Sequence, residues 1–429
     1  MKFLQKPAKH FTFCSGVCII SPILTERGRS IVLTREDYLN KLIRFREKQI
    51  IKVVTGVRCC GKTTLLKNYQ DYLLSTGVRG EQIISLDLED GEYFDIQDGE
   101  ALYELVSSRL ISGQMNYIFL DEVQRVQNFQ KAVEGLYGRR NCDVYIAGSN
   151  ADLLKGEFAT PYSGRYVEIR MLPLSFRAYA SACGKGNSLF QTYQDYIHYG
   201  SFPYELELRR PEDVQQYLDG VFNTVLVKDI LTRRHIGDVD MLIRVARLLF
   251  DNVGKMVTSK GIADALAVSG RRISVHTVDN YLDALTDCYL FYRAGRYDIK
   301  GEQYLKTGCK YYAVDAGMLY HILGTRKEKA GHILENVVYL ELLRRGYDVQ
   351  VGKVGSAEAA FASFGDEGRE YYNVAYTVVG SDGKNLDRKL APLTAIHDYY
   401  PKYLLTMDYG SLTSYNGIRQ LYVLDWLLK

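Results

Sequence analysis

The stretch "GVRCCGKTT", Gly56 to Thr64, sets two glycines in the spacing Gly-x-x-x-x-Gly, then a lysine and two hydroxyls. Those residue types in that order suit the holding of a phosphate chain. Glycines let backbone N–H groups turn inward toward phosphate oxygens, and a following helix N-terminus adds partial positive charge. Lys62 would reach the β- and γ-phosphates, and Thr63 would offer its hydroxyl to Mg²⁺. The candidate nucleotide-binding residues are therefore Gly56, Val57, Arg58, Cys59, Cys60, Gly61, Lys62, Thr63 and Thr64. Cys59 and Cys60 read as spacers that contribute backbone, with thiols beside a helix N-terminus, a setting that lowers a thiol pKa. The competing reading of the stretch is a strand-to-helix turn that binds nothing.

A second set of chemical groups stands further along. "MNYIFLDEVQRV", Met115 to Val126, ends an apolar run in Asp121-Glu122. Asp121 suits a magnesium-fixing role beside Thr63, and Glu122 suits the polarising of an attacking water. Two solvated acids at a strand end are the alternative. "DVYIAGSN" ends in Ser149-Asn150, and Asn150 is expected to sense the γ-phosphate or the water. Arg165 enters a later strand at the end away from the phosphate loop. It would serve as a finger toward a neighbouring copy's nucleotide, or make a surface ion pair; both readings stand.

These groups meet only if secondary structure carries them. "QIIKVVT" before the loop is short, apolar and rich in β-branched residues, which reads as a buried strand. In "KTTLLKNYQDYLLSTG" after it, Leu65, Leu66, Tyr69, Tyr72 and Leu73 share one helical face, and Gly77 sits where a helix would end. Further strands are expected over 82–90, 117–120, 143–150 and 166–171. In an open α/β sheet, ligands sit at the C-terminal strand tips, where Asp121 and Glu122 fall. Asp87, Glu89 and Asp90 at another tip read as solvated or as shaping a nearby loop.

The remainder of the 429 residues leaves room for two or three domains at about 100–200 residues each. A net charge of +3 gives little ground for nucleic acid or anionic membrane as a dominant partner. Eight scattered cysteines, none in a metal-type pair, read as reduced thiols of a cytoplasmic protein. No apolar run reaches membrane-spanning length, so no membrane partner is expected. Residues 1–34 differ in character and read as a disordered leader or as an upstream start codon taken in error. Thr34 is the expected cap of the next helix.

Gly56–Thr63, Ile118–Glu122, Gly148–Asn150 and Gly164-Arg165 with Leu172–Phe176 together resemble the AAA-type P-loop ATPases of bacteria and archaea that carry a C-terminal domain of unknown function. Tyr199–Pro203 ("YGSFP") and Val227–Ile230 ("VKDI") are similar to motifs at the start of that second domain. The likeness runs from about residue 35 to the end. Where members often have a second loop arginine, this chain has Cys59. The resemblance implies an AAA+-like sheet of the additional-strand class, with an extra strand between the phosphate-loop strand and the Asp-Glu strand.

Beyond residue 176 the chain is first helical and tyrosine-rich. Segments 259–267 and 274–286, then strands near 290–296 and 311–314, give helix, turn, helix, hairpin, the order of a winged helix. His276, Thr277 and Asn280 lie on its presumptive recognition face. Yet 255–300 holds seven basic and five acidic side chains, a thin surplus for phosphate contacts. DNA is thus the less favoured partner beside protein contact or interdomain packing. After Gly331 the order helix, strand, strand, strand looks like the restriction-nuclease core that family members carry. Glu335 fills one ligand position, but Ala360, Asn373 and Ala375 stand where further carboxylates and a lysine would be needed. Nuclease activity is not expected.

The expected fold is α/β: a P-loop ATPase domain over 35–175, a helical and winged-helix region over 176–325, and a small degenerate nuclease-like unit over 326–429. The expected function is Mg²⁺-dependent ATP binding and slow hydrolysis, acting on an unidentified protein partner, with Lys62, Glu122 and Arg165 as catalytic candidates. Self-association through Arg165 belongs to that reading. The alternative is a nucleotide-set switch that binds DNA or a partner protein, with incidental hydrolysis.

Overall fold

The computed structural model describes residues 24–26, 29–31, 35–154, 164–184, 186–208, 210–231, 236–323, 330–379, 383–410 and 413–429. Its N-terminal sheet has five strands. In spatial order they are Ile83–Asp87, Asn116–Asp121, Cys142–Gly148, Ile51–Thr55 and Tyr166–Arg170. Every neighbouring pair is parallel. The strand Cys142–Gly148 lies between the phosphate-loop strand and the Asp-Glu strand, as the additional-strand class requires.

Strand alternation divides the apolar runs between two covered faces. Ile118 and Leu120 pack on one face with Ile51, Val53, Ile84 and Val144. Helices Gly99–Ser108 and Phe129–Tyr137 cover it through Leu102, Val106, Phe129 and Val133. Tyr117 and Phe119 point to the other face with Val54, Tyr145 and Ala147. There the helix Lys62–Ser75 buries Leu65, Leu66, Tyr69 and Leu73. Tyr72 stays half-buried, and Gly77 follows the helix at φ +94°.

That second face does not end at a domain surface. Its core continues through Phe202, Leu218 and Leu249 to Tyr312, Tyr339 and Trp426 as one apolar body. Helices Phe176–Cys183, Leu189–Tyr199 and Pro211–Thr224 follow the first sheet, and Val225–Leu231 prolongs the last of them as wide π-helical turns. The "YGSFP" turn is a close crossing. A Cβ on Gly317 would stand 2.4 Å from the Gly200 nitrogen, and Asp315 accepts hydrogen bonds from the Ser201 N–H and hydroxyl.

Next come helix Val239–Asp251, strand Met256–Val257, helices Ser259–Val268 and Val275–Asp287, and the hairpin Phe291–Asp298 with Gln303–Ala313. Ser274 caps its helix by accepting from the Thr277 N–H at 3.0 Å. The sequence leaves this hairpin as the close of the second unit. In the structure Phe291–Asp298 pairs in parallel with Asp348–Val354, and a single nine-stranded sheet runs across residue 326. An exposed hairpin edge has unpaired N–H and C=O groups, and this pairing satisfies them.

Within 1–34, the described residues Leu24–Glu26 and Arg29–Ile31 pair as an antiparallel ribbon. Thr34 lies outside the described residues; Arg35, at φ +48°, holds the helix-cap position. Among the described residues the six cysteines form no disulfide. Among the described residues no helix is long and apolar enough to cross a membrane.

At the bottom of the first sheet, Lys52 and Asp143 form a buried ion pair. Asp143 also accepts from the Tyr145 hydroxyl at 2.7 Å and the Glu47 N–H at 2.8 Å, whereas Lys52 Nζ donates to the Lys48 carbonyl and lies 5.0 Å from the Tyr145 ring centre. Removing one partner of a buried pair strands the other charge. Asp143→Ala is expected to cost about 3–5 kcal/mol in urea unfolding. Lys52→Met should cost less, because Asp143 keeps its two other donors.

Candidate functional site

Three parallel strand tips and one loop converge. The strand Ile51–Thr55 ends in the loop, and helix Lys62–Ser75 starts from Gly61 at φ +102°. Gly56 has φ +150°, and a Cβ there would stand 2.2 Å from the Met171 carbonyl oxygen. Any side chain at this position would push the loop off the neighbouring strand end, so the cradle needs glycine. Cys59 also takes a left-handed φ of +65°, a costly conformation for a non-glycine residue.

The chemical groups assemble around that loop. Thr63 Oγ1 donates to Asp121 Oδ2 at 2.5 Å. Lys62 Nζ donates to the Gly56 and Val57 carbonyls at 3.1 and 3.3 Å and lies 3.6 Å from Glu122 Oε1. Glu122 has φ +49°, and its N–H donates to Asp121 Oδ1 at 3.0 Å. Gln124 Nε2 donates to Glu122, and the Ser149 hydroxyl lies 3.1 Å from Glu122 Oε2. Gly148 lets Gln124 in, since a Cβ there would meet Gln124 Oε1 at 2.1 Å. Asn150 is buried at the same strand tip.

Electrostatics sort the two acids. Burial, then the Glu122 charge, push the Asp121 carboxyl up to about 6. Burial also works on Glu122, but Lys62 and Arg58 outweigh it and hold that carboxyl below its usual range. Lys62 is raised in turn: burial opposes its charge, and Glu122 together with Cys60 and Asp121 outweighs it. Glu122 is thus the committed anion of the pair. Asp121, with Thr63, is a hydrogen-bonded oxygen pair that a hard cation suits. The glycine cradle, the buried lysine and this oxygen pair fit a phosphate chain with Mg²⁺.

Carboxylates hold the Arg58 side chain beside the loop. Its guanidinium forks onto Asp229, with Nε 3.3 Å from Oδ2 and Nη2 3.1 Å from Oδ1. Nη1 donates to Glu89 Oε2 at 2.9 Å, and Nη2 lies 3.9 Å from Glu122 Oε2. Glu89 therefore belongs to the site and is not a solvated acid; its side chain is 10% exposed. Asp229, from the "VKDI" stretch, also belongs to it. Arg165 is exposed at the opposite sheet end, where its carbonyl accepts from the Ile51 N–H. The structure brings Arg58, Lys62, Thr63, Asp121 and Glu122 together around the loop and leaves Arg165 apart.

Residues 48–180 match the model of an AAA domain, and residues 190–329 match a domain of unknown function, DUF8612. An uncharacterized protein of Haemophilus influenzae is 38% identical over 402 residues, covering 93% of this chain and 99% of that protein. The chain belongs to this family of AAA-domain proteins. An uncharacterized protein of Methanocaldococcus jannaschii is 29% identical over 351 residues, 76% of this chain and 74% of its own length. Among solved structures, AMPPCP-bound DnaA from Aquifex aeolicus is similar with a TM-score of 0.30 at 14% identity, covering 59% of this chain and 87% of DnaA. At family level the AAA domain is a nucleotide-binding ATPase fold.

In this AAA protein the nuclease-like positions carry different bonds. Glu335 accepts from Lys310 Nζ at 3.0 Å and the Tyr312 hydroxyl at 2.8 Å. Asn373 spends its amide on the Ala360 N–H and the Lys389 carbonyl. Among the described residues no group of three or more His, Cys, Asp or Glu side chains is arranged to hold a metal.

The adjacent thiols part ways. Burial raises Cys60, against the lowering expected beside a helix N-terminus, because its sulfur is sealed in the core. Cys59 is half-buried on the loop. Iodoacetamide is expected to label Cys59 in the native AAA protein and to reach Cys60 only after unfolding, as read by peptide mass spectrometry. Native labelling of Cys60 would contradict the sealed loop.

Proposed function

We propose that this protein binds ATP with Mg²⁺ and hydrolyses it slowly, and that the nucleotide state acts on an unidentified protein partner. One observation carries the reading: Lys62, the Thr63–Asp121 pair and an anionic Glu122 face a loop whose Gly56 tolerates no side chain. Lys62 would pair with phosphate oxygens, and Thr63 and Asp121 would hold the metal. When bound, Mg²⁺ neutralises phosphate charge. Glu122, kept ionised by Lys62 and Arg58, would accept a proton from water, with Ser149 and Gln124 fixing its orientation. Asn150 would read the terminal phosphate from the same tip.

Element order over 239–313, helix, short strand, two helices and hairpin, supports the winged-helix reading of the second unit. The exposed face of its last helix includes Asp279 and Asp283 as well as His276 and Asn280. Carboxylates facing outward repel a phosphate backbone, which favours a protein partner over DNA. The exposed, distant Arg165 suits service to a neighbouring copy, so self-association belongs to the reading, as does a cytoplasmic setting with cysteines outside disulfides. The switch alternative draws on Asp229, a second-domain side chain inside the nucleotide site.

Lys62→Ala is expected to abolish ATP binding in calorimetry. Glu122→Gln should retain binding while turnover falls about 100-fold or more. Hydrolysis by Glu122→Gln at the wild-type rate removes Glu122 from the mechanism. Specific activity that climbs steeply with protein concentration supports Arg165 acting between copies; a flat profile assigns it to the surface.

A further inference from the structure

We propose that Asp229 competes with the triphosphate for Arg58, so that nucleotide arrival and undocking of the 225–231 segment are one coupled event. The inference rests on the nucleotide reading above and names how the second domain regulates that site.

Arg58 sits two residues after Gly56, on the loop whose backbone forms the cradle. Its side chain is 10% exposed and is engaged by carboxylates from three places: Asp229, Glu89 and Glu122. The Asp229 contact is a two-pronged fork, the same arrangement by which a guanidinium grips two phosphate oxygens. A phosphate group and Asp229 would therefore use the same donors. They cannot use them together.

A second shared group sharpens the competition. The Ser149 hydroxyl faces Glu122 Oε2 at 3.1 Å and Asp229 Oδ1 at 3.3 Å, with one proton for two carboxylates. While Asp229 is docked, Glu122 shares both Ser149 and Arg58 with it. Release of Asp229 would leave the Ser149 proton and the Arg58 guanidinium to Glu122 and the incoming phosphate.

Charge points the same way. Glu89, Asp121, Glu122 and Asp229 cluster around the two buried cations Arg58 and Lys62, with Arg125 at the rim 3.7 Å from Glu89. Asp87 adds a further half-buried acid near Glu89 and Glu122. A magnesium triphosphate brings more negative charge. Asp229 is the member of the cluster that comes from the second domain, and so the one that can leave with it.

The segment that carries Asp229 can accommodate a change of state. Val225–Leu231 forms π-helical turns continuing the helix Pro211–Thr224. Such turns are rare and appear mostly as single-turn bulges inside α-helices, frequently at functional sites. Val225, Leu226 and Ile230 pack into the common core while Val227 and Lys228 face outward. Movement of Asp229 would thus be felt in the second domain. By linkage, a nucleotide that loosens the segment is itself bound more weakly while the segment is docked.

The test uses the full chain with Mg²⁺ and a non-hydrolysable ATP analogue. Asp229→Asn is expected to bind the analogue about tenfold tighter by calorimetry. In hydrogen exchange, amides of 225–231 should exchange faster when the analogue is added to the wild-type chain. In Asp229→Asn they should be fast already and unchanged by it. Equal or weaker binding by Asp229→Asn, or wild-type exchange that ignores bound analogue, overturns the competition while leaving the nucleotide reading intact. A wild-type chain that binds no analogue removes both. If Asp229→Asn does not fold, the wild-type exchange experiment decides alone.

Discussion

Two buried cations, Arg58 and Lys62, have to be neutralised inside the protein, and the loop that carries them has no acid of its own. Much of the architecture around the site answers that constraint. The carboxylates arrive from separate places: Glu89 just past one strand, Asp121 and Glu122 at the end of another, Asp229 from a helix of the second unit. A parallel sheet suits the task because every strand delivers its last residue to the same edge. In the order found here, the strand ending at Gly148 separates the loop from Glu122 and leaves room for Ser149 between them.

The same constraint explains why the loop tolerates so little variation. Gly56 lies against the Met171 carbonyl, and Gly61 lies near Met171 and Pro203. Pro203 belongs to the "YGSFP" turn, which Asp315 pins through Ser201. The phosphate loop is thus backed on one side by its own sheet and on the other by the second unit. It is not an appended turn that the rest of the chain could lose without consequence.

Much of this was legible in the sequence because its signals are local. The apolar runs 51–55 and 117–120, the Gly-x-x-x-x-Gly-Lys-Thr spacing and the Asp121-Glu122 pair each lie within a dozen residues, where strand period and helix start are readable. Asp229 was not, since it meets Arg58 across 171 positions and lies in a stretch whose wide helical turns have no period that the sequence announces. Glu89 looked solvated because nothing local reveals that Arg58 turns toward it. The parallel pairing of 291–298 with 348–354 failed for a related reason: strand periodicity shows which face is apolar but not which distant edge completes the ladder.

The continuous core determines where a change at the nucleotide site can go. Tyr69, on the phosphate-loop helix, and Trp426, three residues before Lys429, belong to one apolar body. Close-packed interiors transmit displacement and do not absorb it, because each opened void forfeits contacts on its walls. A shift at the loop is therefore relieved at a place with two nearly equal packings. The proposed undocking places that relief at Val225–Leu231, where re-registering a π turn to an α turn would change the direction of Asp229. The C-terminal nine-stranded sheet offers no equivalent, since its strands are tied edge to edge from 414 to 257 and Glu335 is fixed by Lys310 and Tyr312. On this view the sheet serves as the rigid body against which the 225–231 segment moves.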